Sequence, residues 1–184
     1  MKNKWKKVKG YVTWISIIIG IIIPFICFCL LPVNIILEPL SKFGISEQTK
    51  YLWNFFLQLI SILLFVNNTN LISDLEERYL TTKLLDLLKY VISGSLSLTG
   101  FITMDIRELH LSFAAIFFLS YTAFIFWYGF LHIKYELKNA IFSMVTSILI
   151  IISSFSTLFM GYGPFEIFFI FSIIFFNIKM NKKN

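Results

Sequence analysis

The stretch GYVTWISIIIGIIIPFICFCLLPVNIIL, Gly10 to Leu37, contains no charged residue; the nearest charges are Lys9 before it and Glu38 after it. As a helix rising ~1.5 Å per residue it exceeds the ~30 Å hydrocarbon core of a bilayer. Pro24 and Pro32 do not argue against this, because neighbouring helices and local adjustments satisfy the backbone groups that proline frees. It reads as a first membrane-spanning helix. Three more uncharged runs have similar reach: Tyr51 to Ser73, Leu109 to Ile133 and Asn139 to Phe165.

Two weaker segments, Tyr90 to Met104 and Ile167 to Ile178, are too short to cross unless they borrow charged ends. The third span can begin near Leu80 if Lys83 and Lys89 reach the headgroups and Asp86 pairs with either lysine at i,i+3 spacing. The sixth can begin at Pro164, which suits a first helical position, with Glu166 in the positive first turn and Lys179 reaching outward at the far end. The expected spans are therefore 10–37, 51–73, 80–104, 109–133, 139–161 and 164–181, in one all-α domain over residues 1–184.

Composition supports the same solvent. Apolar residues make up 58% of the chain against 14% charged, with 22 Phe and a mean hydropathy of +0.80. Ordinary globular chains are about 45–50% apolar and about 25% charged. A water-soluble fold of this size has no way to hide the excess, and six spans leave no room for a separate aqueous domain.

Of the 16 Lys and Arg, alternate connections place only Lys42, Lys50 and Arg107 on one side and the other thirteen on the opposite side. The positive-inside rule then puts both termini in the cytoplasm. Acidic residues divide evenly, so the net charge of +6 reflects membrane orientation and not a nucleic-acid surface. Trp14 and Trp127 fall toward the inner interface and Trp53 toward the outer one, and His132 is expected as an inner interfacial anchor. Ile26, Phe28 and Leu30 offer no small-x-small cleavage pattern, so the first helix is read as uncleaved. Enrichment in Lys, Asn and Ile fits an AT-rich bacterial genome, and the plasma membrane is the expected location.

Within the spans, Asn54, Gln58 and Ser61 follow i, i+4, i+7 on the second helix and place three polar groups on one face. Such a stripe avoids lipid. It can specify helix packing through interhelical hydrogen bonds, or form one wall of a polar pocket. Ser93, Ser97 and Gly100, and Ser143 with Ser147, mark close helix contacts. Cys27 and Cys29 diverge by about 200° on one helix and cannot bridge each other without strain; they read as lipid-facing or packed apolar residues. Asn67-Asn68-Thr69 spells a glycosylation sequon at a cytoplasmic helix end, where it stays unmodified.

Chemistry concentrates at the outward ends. Asp105, Arg107, Glu108 and His110 form the tight connection between spans three and four, and Glu38, Glu47 and Glu166 reach the same side. This set can tie loops together by salt bridges, hold a headgroup, or supply an acid and a base. A single His on that side does not make a metal site. HExxH, GxSxG and paired CxxC motifs are absent, and so is a Gly-rich phosphate loop followed by Lys. No cofactor is expected.

Leu40-Ser41-Lys42-Phe43-Gly44 after the first helix, Trp53-Asn54 opening the second, Gly94 to Gly100 in the third, and Arg107-Glu108-Leu109-His110 with Ala114, Ala115 and Phe118 in the fourth together resemble a family of six-helix membrane proteins. That family includes the DRAM autophagy modulators, GPI-anchor remodelling factors and prokaryotic relatives. The resemblance implies a Ser-x-x-Gly element after the first helix, a His opening the fourth, and a role close to lipids. Lys42 departs from it, since many relatives carry an acid after the Ser. The leading expectation is a non-enzymatic protein that binds membrane lipid, a partner membrane protein or a second copy of itself through an outward rim of Ser41, Asp105, Arg107, Glu108, His110 and Glu166. Asn54, Gln58 and Ser61 would form a polar wall below that rim. The alternatives are an intramembrane lipid-modifying enzyme with His110 as base, oriented by Glu108 or Asp105, and a small-solute carrier or channel subunit.

Overall fold

In a computed structural model the described residues are 2–34, 38–76, 82–102, 104–155 and 157–181. They form seven α-helices and no strand: α1 Lys2–Leu30, α2 Lys50–Glu76, α3 Lys83–Phe101, α4 Arg107–His132, α5 Leu137–Ser154, a single turn α6 Thr157–Met160, and α7 Tyr162–Asn181. Six segments are long and apolar enough to cross a membrane, the fifth running from α5 through α6. Arg78, Leu80, Lys182, Lys183 and the end of the first expected span, 35–37, lie outside the described residues.

The helices form a closed ring. α1 packs on α2, α2 on α3, α3 on α4, α4 on α5 and α5 on α7, and α7 returns to α1. Short connections make chain neighbours into spatial neighbours. At the contacts, small residues permit close approach. Gly100 of α3 lies so near α2 that a Cβ there would sit 2.9 Å from Leu57 Cβ. Gly129 of α4 lies equally close to α5, with Ser143 fully buried opposite it. The serine faces expected from the sequence thus serve packing, as polar and small residues do where lipid offers no hydrophobic drive between helices.

Several boundaries differ from the sequence reading. The first helix ends at Leu30, seven residues before the expected boundary, although Leu31 N–H still bonds to the Cys27 carbonyl at 2.9 Å. Pro32 disfavours helical geometry for the residue before it and has no N–H with which to continue the ladder. Pro24, by contrast, is accommodated inside α1. The last helix starts at Tyr162, after Gly161 with φ 81°, so Pro164 is its third residue and not its first. Its missing N–H is still among the donors that a helix start leaves unpaired.

Aromatic and charged positions differ too. Trp53 packs inward, buried against Phe43 and Phe56 with ring centroids 5.2 Å from each, so its ring does not lie open at the surface. His132, expected as an interfacial anchor, is buried; its ring centroid is 4.4 Å from that of Tyr128, and its Nδ1 lies 2.9 Å from the Tyr128 carbonyl. Lys89 is nearly buried, paired with Asp86 at 2.7 Å and held beside the faces of Phe65 and Tyr90. The stem of that lysine therefore packs within the bundle while its charge finds a carboxylate and two rings.

Candidate functional site: a cavity inside the helix ring

The ring surrounds a cavity of about 130 Å³ that opens to the surroundings, walled by α1, α2, α3, α4 and α7. The wall is overwhelmingly aliphatic and aromatic. On one side Phe56, Leu57 and Leu64 of α2 line it; on the other, Phe117 and Phe118 of α4 meet Phe169 of α7 edge to face, with centroids 5.6 and 4.7 Å apart. On α2 the lining runs from Trp53 to Asn67, roughly 21 Å of helix at ~1.5 Å per residue.

Each end of the cavity carries polar groups. At one end stand Ser41, His110 and Glu166. The Glu166 Oε2 accepts the backbone N–H of Leu40 at 2.5 Å, pinning the 3-10 turn Leu40–Gly44 across the mouth. That turn follows Pro39 and closes when the Thr49 hydroxyl donates to the Phe43 carbonyl at 2.7 Å. His110 is buried, and its Nδ1 lies 2.6 Å from the Ile102 carbonyl oxygen. A carbonyl only accepts, so Nδ1 carries the proton.

At the opposite end Asn67 joins α2 to α1. The Thr13 hydroxyl donates to Asn67 Oδ1 at 3.1 Å, Asn67 Nδ2 donates to Ser16 Oγ at 2.8 Å, and the Ser16 hydroxyl donates to the Val12 carbonyl at 2.8 Å. This closed network is the floor of the cavity. Asn177 of α7 also lines it and donates to the buried Tyr121 hydroxyl at 3.1 Å.

The rim expected from the sequence divides accordingly. Ser41, His110 and Glu166 come together on the cavity, whereas Asp105, Arg107 and Glu108 are exposed and do not line it. Arg107 and His110 lie three residues apart on neighbouring parts of α4, yet the first is exposed and the second buried. Nor do Asn54, Gln58 and Ser61 form a cavity wall. Gln58 Nε2 donates to the Ser97 carbonyl at 2.7 Å and its Oε1 accepts the Ser97 hydroxyl at 2.5 Å, while the Ser61 hydroxyl returns to the Gln58 carbonyl. The Asn54 side chain faces Gly44, with its Oδ1 3.0 Å from where a Cβ on that glycine would lie. Of the three, Gln58 makes the α2–α3 contact, Asn54 faces the Leu40–Gly44 turn and Ser61 bonds to its own helix.

Thr13, Ser16 and Trp53 were not singled out as site residues from the sequence. A signal was available for the first two, which lie at i,i+3 on one face of an isoleucine-rich helix. Nothing in the sequence marks Trp53 as facing inward. Among the described residues no group of three or more His, Cys, Asp or Glu could hold a metal ion, and Cys27 and Cys29 are free thiols, one buried and one exposed. The chain matches no family model, no curated protein and no solved structure.

Proposed function

We propose that this chain is a non-enzymatic, lipid-binding protein of a bacterial plasma membrane, and that the cavity inside its helix ring takes the acyl chain of a lipid. The observation that carries this reading is the shape and chemistry of the cavity: long, apolar along its sides, polar at both ends, with its floor already closed by hydrogen bonds. An apolar wall of that extent binds hydrocarbon, and polar groups at the mouth orient a head. The lysine and arginine bias supports cytoplasmic termini, which put the Ser41, His110 and Glu166 end on the outer leaflet side. A lipid-related role also accords with the resemblance to the DRAM-type six-helix proteins.

The catalytic alternative asked for His110 oriented by Glu108 or Asp105. His110 is instead oriented by a main-chain carbonyl, and both acids are exposed. That contrast favours binding over acid–base chemistry.

The test is lipid retention. The unaltered chain, extracted in polymer-bounded native membrane discs, is expected to release a bound lipid on native mass spectrometry. Ile173→Trp fills the cavity and is expected to abolish that lipid. Ile152→Trp, on an exposed face of α5, is expected to keep it. Equal lipid content in both variants would refute the cavity as the site.

A further inference from the structure

Glycine in a membrane helix often marks a point where two backbones meet closely. Gly100 and Gly129 have that role here, with Leu57 Cβ 2.9 Å and Ser143 Cβ 2.7 Å from where a Cβ on each would lie. Gly20 does not share it. A Cβ on Gly20 would meet nothing within 4 Å, so no neighbouring helix requires its small size. Glycine also weakens a helix interior more than any residue except proline. The place of Gly20 in the cavity gives the absent side chain a different consequence. Thr13, Ser16, Ile17 and Gly20 fall at i, i+3, i+4 and i+7 of α1, on one face, and all four line the cavity. Ile15, Ile18 and Ile22, on the opposite face, are exposed. A side chain at Gly20 would therefore project into the cavity, where its absence leaves open space.

That space stands one helical turn, ~5.4 Å, from the floor. Ser16, four residues before Gly20, accepts the Asn67 Nδ2–H, and Asn67 Oδ1 accepts the Thr13 hydroxyl, so the floor is made of polar groups bonded to one another. A hydrocarbon chain running from the mouth passes Gly20 just before it reaches them. In a cavity of about 130 Å³, a leucine side chain at this position would take a large part of the room.

We infer that Gly20 determines the length of hydrocarbon chain that the cavity accepts. This rests on the acyl-chain reading above and adds the residue that sets its reach. With only hydrogen at this position, the end of the chain runs on to the Ser16–Asn67 floor. With a larger group there the chain stops a turn earlier, and a longer one must overpack the site or leave its end outside. Because no neighbouring atom has to be displaced, substitution at Gly20 changes which chains are held and leaves the packing of α1 in place.

The experiment places the full chain in lipid discs doped with an equimolar series of lysophosphatidylcholines that share one head: decanoyl, dodecanoyl, tetradecanoyl, hexadecanoyl and octadecanoyl. Each lysolipid that the protein retains on native mass spectrometry is divided by its content in the disc, which removes the greater membrane partition of longer chains. Gly20→Leu is expected to move the retained series to shorter chains, lowering the ratio of hexadecanoyl to decanoyl about tenfold, the effect of overpacking one site. Gly20→Ala, which also favours the helix, is expected to fall between Gly20→Leu and the unaltered chain, and it keeps the test decisive if Gly20→Leu fails to fold. Gly94→Leu is the control, at an exposed glycine of α3 that does not line the cavity and whose Cβ also meets nothing within 4 Å; it is expected to leave the series as it is. A series unmoved by Gly20→Leu would overturn the inference, and so would a loss of all five chains in equal proportion. If Ile173→Trp abolishes retained lipid while Gly20→Leu leaves the series unmoved, the acyl-chain reading stands and this one falls. If the unaltered chain retains no lysolipid, both fall.

Discussion

Gly129 sets how closely α4 approaches α5, and its replacement by Ala measures that packing. A Cβ at Gly129 would lie 2.7 Å from Ser143 Cβ and 3.0 Å from the Ala140 carbonyl oxygen. Comfortable contact is ~3.5–4.0 Å, so the helices must part by about 1 Å, and a gap of that size forfeits up to about half the attraction of each pair of atoms it separates. Neither obstructing atom is the free end of a flexible side chain. Overpacking of this kind costs about 1–3 kcal/mol. Alanine itself favours a helix over glycine by about 0.5–1 kcal/mol, which offsets part of the loss. Gly94→Ala supplies the control, because a Cβ there meets nothing within 4 Å and the helix gain stands alone. The difference in unfolding free energy between the two variants therefore isolates the packing term, about 1–3 kcal/mol with Gly129→Ala the weaker. Reversible unfolding in mixed micelles, followed by circular dichroism, measures it. A difference under about 0.5 kcal/mol, smaller than the overpacking range, would mean that α4 and α5 do not meet at this point.

Two other outcomes follow from individual contacts. Asn67→Leu removes the bonds to Thr13 and Ser16; at about 0.6 kcal/mol for an average interhelical bond and up to ~1.7 for the strongest, it is expected to destabilise the bundle by about 1–2 kcal/mol. Thr13→Val should cost about half as much in the same unfolding assay, and equal stability of Asn67→Leu and the unaltered chain would contradict the α1–α2 pairing. At the membrane surface, hydrogen bonding from Lys42 holds the Glu38 carboxyl below its ordinary value of 4.5, aided by the lysine charge and a backbone bond near Asn34. The folded value is depressed, so the pair's contribution is present above the ordinary glutamate range and is lost as pH falls through the folded value. A carbon-13 titration of the Glu38 carboxyl should show a midpoint below 4.5 that rises on Lys42→Met; a midpoint indifferent to that change would show that the two are not paired.

How far the sequence could be read depended on the physics that each feature obeys. The solvent and four of the spans follow from uncharged runs, and the third and sixth from apolar runs extended over charged ends, because in hydrocarbon a backbone must satisfy its own hydrogen bonds and only long apolar helices or closed barrels do so. Gly100, Ser143 and Ser147 were legible as contact residues for the same kind of local reason: small side chains in a long apolar helix gain nothing from facing lipid. The end of α1 at Leu30 was less legible, since proline both tolerates a membrane and ends a helix, and Pro24 and Pro32 took opposite roles.

The candidate site needed the fold. Periodicity puts Asn54, Gln58 and Ser61 on one face of α2, but whether that face meets a cavity or a neighbouring helix depends on how the ring rotates each helix about its axis. Ser97 across α3 answered the polar demand of Gln58. Closure of α7 onto α1 is a long-range event that no local pattern encodes. It brought Glu166 to Leu40, in a bundle where His110 and Trp53 are buried while Arg107 and Glu108 are exposed. Composition and helical period thus specify which segments enter the bilayer, because transfer free energy is summed residue by residue. Which polar groups share one internal space is specified only by packing, because it depends on contacts between residues far apart in the chain.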